Sequence, residues 1–154
     1  MKYFLFLIAG LTVLGCGKRS ANDYNTAAAL PDTLLLQPNE WKVISSGINT
    51  TTHTMSTLYG NDVAVKAARS GQGSYPAGAL LSLVTWKQQK DDRWFGALIP
   101  GNVETVEQVL YTAGNISPLY TKYTGNGLAK SPVNPEEDLH RIALITQQRA
   151  SVMP

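Results

Sequence analysis

The amino-acid sequence predicts an α+β fold: an antiparallel sheet of about five strands, a short helix after the second strand, and a C-terminal helix. Three stretches carry that prediction. Thr57-Leu58-Tyr59 runs into Gly60-Asn61-Asp62. There an asparagine side chain can accept from the first free amides of a helix, and a carboxylate complements the positive end of its dipole. Val63 to Arg69 continues the helix, with Gly71 as its stop. Second, Ala79-Leu80-Leu81-Ser82-Leu83-Val84-Thr85-Trp86 is almost continuously apolar, the pattern of a central strand covered on both faces. Third, Asn134-Pro135 followed by Glu137 sets out an N-cap, a first-turn proline and a capping-box acid.

Each element follows in order. Trp41 to Ser46 reads as a strand with Trp41 as its core anchor, and Gly47 to Thr52 as a polar turn. His53 to Tyr59 alternates, placing His53, Met55, Thr57 and Tyr59 on one face. Tyr75-Pro76-Ala77-Gly78 turns the chain into the long apolar strand. Lys87 to Arg93 is a hydrophilic hairpin connection with nearly cancelling charges. Trp94 to Ile99 is its partner strand, ended by Pro100-Gly101-Asn102. Val103 to Tyr111 fits helix or strand; the crowding of β-branched residues favours strand. Thr112 to Asn115 is a turn, and Pro118 to Tyr123 an edge strand broken by Gly125-Asn126-Gly127. In the last helix, Leu139, Ile142 and Ala143 form a buried stripe with Ile145 beside it.

Composition narrows the function classes. The chain has 154 residues, 44% hydrophobic and 16% charged, enough for one folded domain with a hydrophobic core. Net charge is +2 with the basic residues scattered, Lys18-Arg19 being the one adjacent pair, which gives nucleic-acid binding no footprint. A single cysteine excludes an intramolecular disulfide and a thiolate metal cluster within these residues.

That cysteine has a setting. Met1-Lys2-Tyr3 precedes an apolar run from Phe4 to Leu14, too short to span a bilayer and suited to a secretory signal. It ends in Val13-Leu14-Gly15-Cys16, which resembles the bacterial lipobox. The resemblance implies cleavage before Cys16 and lipid attachment to it, including acylation such as palmitate. Several acyl chains hold a protein where one anchors marginally. Gly17 is not the aspartate associated with inner-membrane retention. The expected placement is therefore the cell envelope, on the outer membrane and facing the periplasm. The domains read as a lipoprotein signal peptide over 1–15, a tether over 16–37 and a folded domain over 38–154. Leu34-Leu35-Leu36 is an apolar knot in the tether that would lean on the domain.

Candidate chemistry is sparse, and no catalytic residue is assigned. His53 and His140 are the two histidines, weak candidates for ligating haem iron or a metal, or for general-base work. Glu136-Glu137-Asp138 is explained by the helix dipole, and Met55 and Met153 by gap filling. Tyr59, Trp86 and Trp94 are the aromatic candidates for lining a pocket on the sheet. The partners expected are the membrane, through Cys16, and a small molecule or protein; a structural role with a filled core is the plain alternative.

The segment from Trp41 to Ile99 resembles the cytochrome P460 family. The matching features are Trp41-Lys42 opening a strand, Thr57-Leu58-Tyr59-Gly60-Asn61-Asp62-Val63-Ala64-Val65 entering a helix, and Tyr75-Pro76-Ala77-Gly78 before the apolar strand. The resemblance implies an antiparallel sheet with a few helices in a periplasmic domain. It also implies, for characterised members, a c-type haem with hydroxylamine oxidation or nitric oxide binding. Such members attach haem through Cys-x-x-Cys-His and cross-link it through a lysine on the strand after the Pro-x-Gly turn. Here the one cysteine is Cys16, and the matching strand position is Leu83, with Lys87 beyond the strand end. The expectation is a haem-free branch with a binding or accessory role. The alternative is a non-covalent haem held by His140 or His53 and acting on nitric oxide or hydroxylamine.

Overall fold

The computed structural model describes residues 24–31, 34, 41–71, 73–125 and 127–151. Six strands form one sheet in sequential order: β1 (Lys42–Asn49), β2 (Thr54–Gly60), β3 (Leu80–Lys90), β4 (Leu98–Leu110), β5 (Leu119–Thr124) and β6 (Ala129–Lys130). Every neighbouring pair is antiparallel. Helices α1 (Asp62–Ser70) and α2 (Pro135–Thr146) lie on one face. A short 3-10 turn at Thr26–Ala28 and Leu34 lie on the other. The fold is α+β, as expected, with β6 as a sixth strand.

The junction of β2, α1 and β3 turns on Asn61. Its Oδ1 accepts from Ala64 N at 3.0 Å, capping α1, and from Leu80 N at 3.2 Å, while its Nδ2 donates to Gly78 O at 2.8 Å. One side chain thus ties the helix start to the entry of β3. Gly71 ends α1 in the left-handed region, at φ 68°. Gly60 lets helix and sheet meet. A Cβ there would lie 2.7 Å from Ile44 Cδ1 and 2.9 Å from Ala64 Cβ.

Several expectations change. Trp41 precedes β1 and is only half-buried; Ile44 is that strand's core residue. The hydrophilic stretch from Lys87 does not leave the sheet at once. Gln88, Gln89 and Lys90 pair with Pro100, Ile99 and Leu98, because backbone pairing needs no apolar side chain once the hairpin extends past the core. The turn therefore falls at residues 91–97, and Trp94 and Phe95 sit in it rather than in a strand. Val103 to Leu110 belongs to β4, which continues through Pro100-Gly101 instead of stopping there.

In α2, Asn134 does sit at the N-cap and Pro135 at the first position, but the Asn134 side chain caps nothing. The Asn134 amide donates to Asp138 Oδ2 at 3.2 Å, one residue beyond the capping-box acid; Glu137 instead accepts from Lys122 Nζ at 3.2 Å and Asn134 Nδ2 at 3.3 Å. The helix's buried residue is Ile145, whereas Leu139 is 62% exposed. Part of the segment expected as a tether is packed: Leu34 is buried against Val84, Trp86, Val106 and Leu128.

Candidate functional site

Strand alternation separates the two faces of β3. Leu81 and Leu83 point to the helices; Ser82, Val84 and Trp86 point away from them. The helix side is filled by Ile44, Leu58, Val65, Leu83, Val109 and Ile145. Within it lies one charged group, Glu107, on β4 opposite Leu83 and 2% exposed. Arg141 of α2 meets it with both arms, Nε to Oε1 at 2.8 Å and Nη2 to Oε2 at 2.6 Å. The Tyr120 hydroxyl of β5 donates to the same Oε1. Burial and then the hydrogen bond to Glu107 push Tyr120's pKa well above the usual tyrosine range. The hydrogen bond to Glu107 raises that of Arg141, outweighing the opposing effect of burial. Three of Glu107's acceptor directions are used internally, two on Oε1 and one on Oε2. The group pins α2 to the sheet and offers nothing to a ligand.

The opposite face is built differently. Trp86 Nε1 donates to Ala28 O at 3.0 Å, and Asn25 Nδ2 donates to Pro100 O, so the amino-terminal segment crosses β3 and β4 as a strap. Beyond the strap, strands β1 and β2 leave a groove of about 630 Å³ whose walls include Ala28, Met55, Thr57, Tyr59, Trp86 and Pro100. Met55 pairs directly with Trp86 across β2 and β3, and Tyr59 with Ser82. Ser82 Oγ is buried beside Tyr59 without a hydrogen-bond partner among the described residues. The groove is mainly apolar, with Ser46, Ser56, Thr57 and Tyr59 as its hydroxyl-bearing members.

Of the expected pocket residues, Tyr59 and Trp86 are brought together and Trp94 is not. Trp94 is 71% exposed at the hairpin turn, because the register of β3 on β4 carries it past the end of the covered sheet. His53 occupies the β1–β2 turn at φ 53° and His140 an exposed position on α2; neither reaches the groove. Met55 does line it, and Glu136-Glu137-Asp138 lies in the first turn of α2. Among the described residues no cluster of three or more His, Cys, Asp or Glu side chains is arranged to hold a metal ion. Cys16 and Met153 lie outside the described residues.

Two features went unread. The strap's contact through Ala28 has no signal in an alanine run. The Glu107–Arg141 pair did have one: Glu107 is two residues from Val109 on a strand and Arg141 four from Ile145 on a helix, so opposite charges stood on the two core-facing stripes. A second cleft, of about 880 Å³, opens between the carboxyl ends of α1 and α2, with Arg69, Tyr75 and Arg149 in its walls. Both helix ends there expose partial negative charge, which the arginines offset.

Comparison with known proteins gives one family. The family model for Cytochrome P460 matches residues 38–115. The match is 78 of the 154 residues and takes in β1 to β4 with α1. It holds the groove walls from Met55 to Pro100, but not Ala28 or the partners of Glu107 on β5 and α2. No curated protein matches the chain.

Proposed function

The chain belongs to the cytochrome P460 family, and from that premise we propose a lipid-anchored envelope protein whose domain carries no covalent haem and acts as a binding or accessory module. Its ligand is a small, mainly apolar molecule held in the groove between Tyr59 and Trp86. The observation that carries this reading is the groove itself, apolar, open along one side and walled by side chains that β2 and β3 hold in fixed register.

The residues present do not fit a covalently attached haem. Cys16 is the one cysteine, and Leu83, at the position the resemblance assigns to the cross-linking lysine, is buried in the filled core beneath α1 and α2. Among the described residues no histidine, lysine or cysteine lines the groove. Lipid attachment rests on Val13-Leu14-Gly15-Cys16, and Gly17, where an aspartate would retain the protein at the inner membrane, favours the outer membrane and a domain facing the periplasm.

Nile red, an uncharged apolar fluorophore, tests the groove. It should bind saturably at one site, and Met55→Trp, which fills the groove, should weaken binding by about tenfold, roughly 1.4 kcal/mol. Absence of saturable binding would shift the reading to a structural envelope protein. Hemin titration of the same preparation should give no sharpened, red-shifted Soret band beyond that of free hemin. A band lost in His140→Ala or His53→Ala would instead establish the non-covalent haem alternative. Cys16→Ser should abolish acyl labelling.

A further inference from the structure

The β3–β4 hairpin ends in a tip whose two largest side chains face solvent. Trp94 is 71% exposed and Phe95 fully so, and Leu98, at the start of β4, is half-exposed. The tip is not loose. The Asp91 amide donates to Ala97 O at 3.0 Å and the Ala97 amide to Trp94 O at 3.0 Å. Asp91 Oδ1 accepts from the Arg93 amide at 2.9 Å, and Gly96 takes the positive φ of 78° that the turn needs. A turn locked in this way presents its aromatic pair with little ordering left to lose on binding.

The chain enters the domain at the same end. Asn25 is fixed there by its Nδ2 bond to Pro100 O and by Gln89 Nε2, which donates to its Oδ1 at 3.4 Å. Gln89 and Pro100 lie within two residues of the hairpin's last rung, Lys90 opposite Leu98. Tyr24, next to Asn25, is 84% exposed. Eight residues separate Cys16 from Asn25, nine Cα-to-Cα steps with a reach of about 30 Å when fully extended.

We propose that this hairpin tip is a membrane contact. In it, Trp94 and Phe95, with Leu98 and Tyr24 at the same end of the sheet, rest in the headgroup layer of the bilayer that holds the acylated Cys16. The proposal rests on the reading of Cys16 as a lipid attachment site. Tryptophan and tyrosine favour that layer because each has an apolar body and a polar edge. Lys87, Lys90 and Arg93 flank the aromatic pair against Asp91 and Asp92, leaving a slight positive excess that suits anionic headgroups. Acyl chains alone fix distance but not orientation. Anchor and tip together would give two attachments at one end of the sheet, holding the groove at a set angle to the membrane.

The test uses full-length acylated protein in phosphatidylethanolamine–phosphatidylglycerol vesicles with brominated acyl chains. The Trp94 signal is the difference between wild type and Trp94→Phe. The expected result is a blue shift of that component on vesicle binding, strong quenching by the brominated lipid and protection from aqueous iodide. Acylated, vesicle-bound protein whose Trp94 component stays unquenched and open to iodide overturns the proposal. Protection that arises without vesicles and grows with protein concentration also overturns it, assigning the tip to contact between copies. The mass of the acyl group at Cys16 is measured separately. An unacylated preparation whose Trp94 is still quenched would fail the anchor and leave the tip's membrane contact standing.

Discussion

The two faces of the sheet use the same strands to opposite ends. Toward α1 and α2, β3 and β4 bury Leu81, Leu83 and Val109 with a charged residue among them, and that charge is fully partnered by Arg141 and Tyr120. On the other side Val84, Trp86 and Val106 are covered by a strap whose described residues stop short of β1 and β2, where the groove begins. Under α2 the bidentate ion pair leaves no room, and the cleft on that side opens only between the carboxyl ends of the two helices. A strap fixed by single hydrogen bonds leaves some. Function, where this chain has a small-molecule ligand, belongs to the less completely covered face.

The largest effect expected on that contrast comes from the helix side. Arg141→Met leaves the Glu107 carboxylate buried and without its cation, a loss of about 3–5 kcal/mol. Denaturant unfolding should read it as a lower midpoint with little change in slope. Replacing both partners, Glu107→Met with Arg141→Met, removes the orphaned charge and should recover most of the loss. A double variant as unstable as the single one would mean that the pair is a net stabiliser in its own right.

The strap face should respond less. Leu34→Ala removes one buried side chain from a small cluster, at a cost of about 2 kcal/mol, the low end for such changes because the covering segment can settle inward. Trp86→Phe keeps an aromatic ring but loses the donor to Ala28 O, at about 1 kcal/mol. Hydrogen exchange should separate the two faces. In both variants the amides of residues 26–30 and of Leu34 should exchange faster while those of α2 keep wild-type protection. Loosening of α2 in Leu34→Ala would show that the faces are energetically one unit.

How much of this was readable follows the same division. The central strand, the Asn61 cap and the Pro135 start were legible because each rests on local chemistry: apolar continuity, a capping side chain, a ring-fixed φ. Tyr59 and Trp86 could be set on one sheet by alternation, but their neighbourhood depends on register, and so does Trp94's exclusion from it. Ending the strand at Lys87 moves the turn toward the sheet and makes an exposed tryptophan, Trp94, look like a strand residue fit to line a pocket. Hydrophobicity reports how much a side chain gains from burial, not whether the hairpin is long enough to carry it out of the core. The Glu107–Arg141 pair joins residues thirty-four apart in sequence; each charge stands on a core-facing stripe that alternation or helical spacing marks, but no local rule pairs the two.

The smallest expected effect lies in alkaline solution and again belongs to the helix face. Tyr75, Tyr111 and Tyr120 all have pKa values raised by burial above the ordinary tyrosine value of 10.0. Above that pH the unfolded chain releases phenolic protons that the folded chain keeps. The folded state then binds more protons than the unfolded one, so the stability present below pH 10 falls as pH rises further. Tyr120→Phe takes away one of these protons and should make the decline shallower. At neutral pH it costs about 1 kcal/mol for the lost bond to Glu107, whose Oε1 still accepts from Arg141. Unfolding midpoints compared at pH 8 and pH 11 for wild type and Tyr120→Phe would read the difference directly. An unchanged slope would place the alkaline sensitivity on the stacked pair Tyr75 and Tyr111 alone, whose rings lie 5.5 Å apart.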